Sequence, residues 1–162
     1  MSQFCPKCED YRGTRTVERE ETHEIRRSEV TVPVELEVCE RCGEEIGSDT
    51  KDQQILDAVH AAYRRENDLL TPEEIKGIRE RYSLSQKSLA ALLGMSEATI
   101  NRYENGALQD EAHDNLIRAC QNPSFVRERL EKRGDRLSEW QRSRAKEVLK
   151  GEEKPERGWV EL

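Results

Sequence analysis

Two pairs of closely spaced cysteines are the residues of this chain best suited to chemistry. Each pair has the spacing C-x2-C, and 30 residues separate the two pairs. Two such turns can place four thiolates around one ion, and Zn²⁺ favours tetrahedral sulfur sites of this kind. The sequence therefore predicts one Zn²⁺ per chain, with tetrathiolate iron as the chemical alternative for the same ligand set. The predicted ligands are Cys5, Cys8, Cys39 and Cys42.

Other interpretations of this region are weaker. A redox-active C-x-x-C pair usually stands at the start of a helix in a βαβ unit, and neither pair here has that setting. His23 is a ligand by chemistry alone, because four cysteines already complete a tetrahedral site. Gly43 follows the second pair, where a turn with positive φ suits glycine, whereas Glu9 takes the matching place after the first pair.

The elements around the cysteines must bring the two pairs together. Apolar and polar residues alternate from Val30 to Val38, which predicts a strand with one buried face that leads into the second pair. A more exposed partner strand is predicted over 14–21, and Pro33 favours a sheet edge because proline lacks a ladder donor. So small a module buries little apolar surface, and the metal should therefore supply much of its stability.

A series of short amphipathic helices is predicted farther along the chain. Residues 71–74, with the sequence TPEE, have the pattern of a helix start with a capping box. A later helix ends at Gly94, and the next one is capped by Ser96. Two helices joined by a short turn that contains glycine form the DNA-binding helix-turn-helix pattern. Cys120 recurs with the apolar positions of a further helix, which predicts a buried thiol rather than a fifth ligand.

Length, composition and charge limit the class of protein. Of the 162 residues, 34% are apolar and 38% are charged, so two small modules with a polar tail fit better than one large core. No segment has the apolar length of a membrane span or signal peptide, so we expect a cytoplasmic protein without membrane contact. The net charge of −7 argues against a generally basic nucleic-acid binder but allows specific contacts. The three histidines are scattered, so we expect no enzyme.

Several motifs of the helical region look like the Xre/Cro repressor family. They are Leu84-Ser85-Gln86, Gly94-Met95-Ser96 and Tyr103-Glu104-Asn105-Gly106. Combined with the upstream C-x-x-C pairs, they resemble the YgiT/MqsA family of zinc-finger and helix-turn-helix antitoxins over residues 1–122. The resemblance implies an antitoxin that binds its own operator and has a toxin partner. Residues 123–162 extend beyond the shared pattern.

We therefore expect an α+β fold. A small zinc-bound antiparallel β module should precede an all-α Xre/Cro-type helix-turn-helix domain with a helical C-terminal extension. The predicted parts are a zinc-binding module over 1–47, a linker helix over 48–68, a helix-turn-helix domain over 69–122, C-terminal helices over 123–149 and a flexible tail over 150–162. The linker helix could instead pack on either module. The C-terminal helices could be a packing arm, a dimer contact or a toxin-binding segment.

The predicted DNA interface centres on the recognition helix, which presents its N-terminal residues to base edges in the major groove. Four outward positions on a helix that starts after Ser96 are the predicted base contacts, namely Glu97, Ala98, Asn101 and Arg102. The family resemblance implies phosphate contacts for Gln86, Ser96, Thr99 and Asn105. It also implies a structural salt bridge between Arg79 and Glu104, which would fix the angle of the recognition helix.

Two functions from this class remain open on the sequence. The first is a DNA-binding antitoxin and autorepressor of a type II toxin–antitoxin system. The second is a stand-alone zinc-finger and helix-turn-helix regulator that responds to metal or redox state. In either case we expect a homodimer on operator DNA, because one helix-turn-helix reads only a few base pairs. A cotranscribed toxin gene would favour the first function, and zinc release under mild oxidation would favour the second.

Overall fold

The computed structural model describes residues 1–47 and 49–152, with the backbone alone at Asp49 and Thr50. The chain divides into two compact units, Met1–Asp68 and Leu69–Leu162. The described residues form a three-stranded antiparallel sheet followed by seven α-helices, which confirms the predicted α+β class. No helix among these residues is long and apolar enough to cross a lipid bilayer.

The first unit is built on strands β1 (Ser2–Cys5), β2 (Asp10–Ile25) and β3 (Ser28–Cys39). β2 lies in the middle, because its first residues pair with β1 and the rest pair with β3. It is therefore much longer than the strand predicted over 14–21. β3 is an edge strand, as Pro33 predicts. The turn between β2 and β3 consists of Arg26 and Arg27, both at positive φ.

A row of apolar side chains on one face of β3 forms the core of this unit. These residues are 0–8% exposed: Val30, Val32, Val34, Leu36 and Val38. Helix α1 (Asp49–Glu66) packs on β3 and buries Val59, Ala62 and Tyr63. The helix predicted as a linker over 48–68 therefore covers the apolar face of β3.

The second unit is entirely helical in the residues described. Its first four helices are α2 (Pro72–Arg81), α3 (Gln86–Leu93), α4 (Glu97–Glu104) and α5 (Glu111–Ala119). The C-terminal extension forms α6 (Pro123–Arg133), a short 3-10 turn and α7 (Glu139–Glu152). Residues 71–74 make the predicted capping box at the start of α2. The predicted tail, with its Trp159 and Val160, lies outside the described residues from 153 on.

One apolar core runs through the second unit from Leu70 to Leu149. Cys120 is 2% exposed within it, which confirms the prediction of a buried thiol. The C-terminal helices pack on this core rather than standing apart, and contribute Val126, Leu130, Leu137, Ala145 and Leu149. Trp140 was predicted to share their apolar stripe, but it is 69% exposed because it lies on the outer side of α7.

Polar contacts tie the C-terminal helices to both ends of α3. At its C-terminal end, Arg129 donates to the carbonyl oxygen of Leu92 at 2.9 Å, and Arg133 donates to that of Ala91 at 2.8 Å. At its N-terminal end, the side-chain oxygen of Gln141 accepts from the Ser85 amide at 2.8 Å. The extension is thereby fixed to the first helix of the helix-turn-helix.

Because the second unit has its own core, we expect a fragment of residues 67–162 to fold without metal. Its circular dichroism should keep a helical spectrum and a cooperative thermal transition that chelator does not change. Loss of the helical spectrum in this fragment would show that residues 1–66 contribute to the helical core.

Candidate metal centre and nucleic-acid interface

The ends of all three strands converge on the four predicted ligands. β1 ends at Cys5, and the following turn carries Cys8 before β2 begins. β3 ends at Cys39, which pairs with Thr14 of β2, and the next turn carries Cys42. The sheet therefore places both cysteine pairs at one end of the strands. Cys5 and Cys39 are fully buried, and the second cysteine of each pair is half-buried.

The distances between the sulfur atoms fit a tetrahedral metal site. The Sγ atoms of Cys5 and Cys42 are 3.5 Å apart, and those of Cys8 and Cys39 are 4.0 Å apart. All four lie within 4.8 Å of one another. With metal–sulfur distances of about 2.3 Å, a regular tetrahedron has sulfur–sulfur edges of about 3.8 Å. The four residues can therefore hold one metal ion, and this donor set is consistent with zinc.

Two turns with positive φ shape the cysteine pairs. Gly43 has φ +73°, as predicted, and its amide donates to the carbonyl oxygen of Cys39 at 2.9 Å. Glu9 takes the matching position after the first pair and has φ +53°. A non-glycine residue there is uncommon, because its Cβ crowds the backbone in this region. The first turn thus keeps the conformation of the second without its glycine.

The local backbone prepares the sulfur atoms to bind a cation. Backbone hydrogen bonds from Cys42 and Arg41 lower the pKa of Cys39 to about 7, against the opposing effect of burial. The hydrogen bond with Cys42, together with burial, raises the pKa of Cys8 to about 12. Thiolate is the form that binds metal, so a cation at the centre would take the place of the shared protons.

The other candidate ligands lie elsewhere. His23 is on β2, where its Nε2 lies 3.4 Å from a carboxylate oxygen of Glu21. Cys120 belongs to the core of the second unit, and burial raises its thiol pKa to about 12. The cluster that can hold an ion within the described residues consists of the four paired cysteines.

The helix-turn-helix consists of α3, a short turn and α4. Gly94 ends α3 in the left-handed conformation, at φ +74°. The hydroxyl of Ser96 then caps α4 by accepting from the Thr99 amide at 3.1 Å. Ile100 and Tyr103 point into the core, as predicted. The four predicted base-contact residues are exposed on the outer side of α4, namely Glu97, Ala98, Asn101 and Arg102.

The predicted phosphate contacts occupy the rim of this surface, and several are engaged with the protein. The hydroxyls of Ser96 and Thr99 lie 2.8 Å apart. Asn105 donates to the Asn101 carbonyl oxygen at 2.8 Å. Gln86 is half-buried at the start of α3, where its amide group contacts two residues of α4. These side chains therefore have defined positions before any ligand binds.

A nearly buried ion pair supports α4 from behind. Arg79 of α2 donates to both carboxylate oxygens of Glu104, at 2.6 Å and 3.0 Å, and to the Leu84 carbonyl oxygen at 2.9 Å. The two side chains are 13% and 6% exposed. Burial alone would raise the pKa of Glu104, but hydrogen bonds from Arg79 and Gln86 outweigh it, and the pKa is lowered. The pair joins α2 to the C-terminal end of α4.

Gln86 extends this pair to the exposed surface, which the sequence did not reveal. Its amide nitrogen donates to Glu104 at 2.9 Å, and its amide oxygen accepts from Asn101 at 3.2 Å. A continuous set of polar contacts thus runs from Arg79 through Glu104 and Gln86 to the predicted base contact Asn101. The sequence motif marked Gln86 as a phosphate contact, and only the packing of α3 against α4 shows its second partner.

Comparison with known proteins agrees with this architecture. Residues 3–121 match the family described as the antitoxin component of a bacterial toxin–antitoxin system, MqsA. None of the curated proteins compared with the chain gives a match. The matched region includes the four cysteines, α1 and the complete helix-turn-helix, and stops before α6. The chain therefore belongs to the MqsA family of toxin–antitoxin antitoxins.

Proposed function

We propose that this protein is a sequence-specific DNA-binding antitoxin and the autorepressor of a type II toxin–antitoxin system. Family membership implies a toxin partner, and the members of this antitoxin family are generally not enzymes. The observation that carries the DNA-binding part is the exposed outer side of α4, capped at Ser96 and held from behind by the buried pair of Arg79 and Glu104. Binding to its own operator would place the protein in the cytoplasm.

The exposed side chains of α4 suit readout of base edges. Arg102 can donate to both O6 and N7 of a guanine, which is worth about 1–3 kcal/mol of discrimination. Ala98 can contact a thymine methyl group, and Glu97 can accept from a cytosine amino group. Asn101, held by Gln86, can pair with adenine through N6 and N7. These four contacts would read a short stretch of the major groove.

We assign the remaining predicted residues to the DNA backbone. Gln86, Ser96, Thr99 and Asn105 surround the start of α3 and both ends of α4, where side-chain and backbone donors can meet phosphates. Such contacts set the register of the protein and carry no direct sequence information. Residues 51–122 contain 9 basic and 12 acidic side chains, a net charge of −3, so non-specific binding should be weak.

For the metal centre we propose one Zn²⁺ per chain in a structural role. Four thiolate ligands leave no open coordination position for substrate or water, which is the pattern of closed structural sites. The ion would hold the ends of the three strands together. A homodimer is also part of the proposal, with half-sites about one helical turn apart, because a single recognition helix contacts too few bases to repress.

A binding titration tests the DNA-binding proposal. Arg102→Ala should lower the affinity for the operator by about 1–3 kcal/mol and relax the preference at one base position per half-site. Gln86→Ala should weaken binding to operator and scrambled duplexes by similar factors, because phosphates are the same in both. The titration uses both duplexes at two salt concentrations, and the logarithm of affinity should fall by about 0.9 per neutralised phosphate for each unit of log salt.

Lys132→Ala is the matched control for the loss of one positive charge. Lys132 is exposed on α6 of the same helical unit, where it pairs with Glu128. This variant should bind the operator like the wild type. Full operator preference in Arg102→Ala would remove α4 as the recognition helix, and monomeric binding to an asymmetric site would remove the dimer.

A further inference from the structure

A groove opens beside α1 because the helix covers one strand of the hairpin more fully than the other. α1 packs on β3, whose valine row it buries. The β2 residues that pair with this row, Glu21 opposite Val32 and His23 opposite Val30, are only half-buried. A groove of about 490 Å³ lies between this part of β2 and α1.

The groove combines an apolar floor with an acidic rim. Ile25 of β2 and Val59 and Leu56 of α1 form the floor, and Leu56 is 46% exposed. Three carboxylates stand around it, from Glu21, Glu45 and Asp52. Arg19 offsets part of this charge, since it pairs with Glu21 and lies 3.4 Å from Glu45. The rim therefore keeps an excess of negative charge.

We propose that the toxin docks in this groove through a basic segment that carries lysine or arginine next to a large apolar side chain. The inference rests on the proposed function, because it takes the toxin as the partner. Residues 1–50 contain 7 basic and 13 acidic side chains, a net charge of −6, which attracts a basic protein surface and repels DNA. The same charge disfavours a second copy of this acidic region.

The two parts of the groove would have different tasks in binding. An apolar side chain of the toxin placed on Leu56 and Ile25 would be shielded from water, as central anchors of interfaces are. The carboxylates would steer the toxin toward the groove and fix its register. The complex should therefore form faster at low salt, while its lifetime should depend mainly on the apolar anchor.

Charge reversal at the rim tests the proposal, with the full chain and the protein that co-purifies with it from its native cells, identified by mass spectrometry and then purified. Glu45→Lys with Asp52→Lys should weaken binding at least about tenfold, since like charges across an interface are unfavourable. The matched control is Glu18→Lys with Glu20→Lys, at two exposed positions of β2 whose side chains alternate to the other side of the sheet. The control pair should change the affinity less than about threefold, because its added charges lie outside the groove.

Two further measurements locate the contact. Leu56→Ser should weaken binding about tenfold without the charge change, because it removes the proposed anchor. Hydrogen exchange should show that the partner protects residues 21–25 and 52–59. Metal content and exchange of the free variants verify that each one is folded.

The outcomes separate this inference from the proposed function. Equal affinities for the groove and control pairs, or protection elsewhere on the chain, would overturn the groove while leaving the toxin partner in place. Concentration-dependent protection of the groove in the free protein would assign it to a second copy instead. If no partner binds the wild-type chain, the toxin part of the proposed function fails as well.

Discussion

Cys39→Ser should release the metal and unfold residues 1–47, while the helices of the second unit stay folded. The four sulfurs join the ends of all three strands, so without an ion little else fixes that end of the sheet. Structural zinc contributes about 10–16 kcal/mol to the folding of zinc-finger peptides, which exceeds the stability of most small domains. Mass spectrometry would give the metal content, and hydrogen exchange would follow residues 1–47 and 69–152 separately.

Cys120→Ala provides the control, because it removes a thiol from the helical core and leaves the paired cysteines unchanged. It should retain one metal ion per chain and a protected sheet. A chelator should act on the wild type as Cys39→Ser does. Full metal retention in Cys39→Ser would contradict the tetrathiolate site.

Glu104→Ala should destabilise the helical unit by about 3–5 kcal/mol, because it leaves the guanidinium of Arg79 without its partner in a nearly buried position. Urea denaturation followed by circular dichroism would measure the change. Glu97→Ala serves as the control, since this glutamate is exposed on the same helix and its loss should cost about 0.5 kcal/mol or less. A loss for Glu104→Ala as small as that of the control would show that the pair contributes little.

The same pair gives a pH dependence with a defined sign. The pKa of Glu104 is lower in the folded chain than its ordinary value of 4.5. Its stabilising contribution is therefore complete above pH 4.5 and disappears as the pH falls through the lower folded value. Glu104→Gln should remove this part of the acid sensitivity. Replacing both residues by apolar ones should restore some of the stability lost in the single variant, because no buried charge is left.

Local patterns of the sequence explain much of the fold. Alternation from Val30 to Val38 predicts β3, and Pro33 predicts that it is an edge strand. The hydroxyls of Ser85 and Ser96 mark the starts of α3 and α4, because a helix needs acceptors for its first amides. These features depend on neighbouring residues alone, so they can be read without knowledge of the tertiary structure.

Features that depend on distant contacts were harder to predict. β2 is longer than predicted because pairing with β3 orders a polar strand that has few apolar residues of its own. The turn at Arg26 and Arg27 has positive φ at both residues without glycine or asparagine, so no turn signal marked it. The packing of α1 on β3 likewise depends on the shape of the sheet.

The candidate sites show the same contrast. Spacing alone predicts the four cysteines, because a C-x2-C turn is a local structure with a defined ligand geometry. The contacts of Gln86 with Asn101 and Glu104 depend on how α3 packs against α4. The contacts of Arg129 and Arg133 with the end of α3 come from helices beyond the family match.

The most direct test of the proposed function is affinity purification of the full chain from its native cells, with both the bound protein and the bound DNA identified. We expect a small protein encoded next to this chain, together with DNA from upstream of the shared operon. Arg102→Ala should retain the protein and lose the DNA enrichment, whereas Lys132→Ala should retain both. Recovery of neither partner with the wild type, or the same DNA enrichment with Arg102→Ala, would contradict a DNA-binding antitoxin that reads its operator through α4.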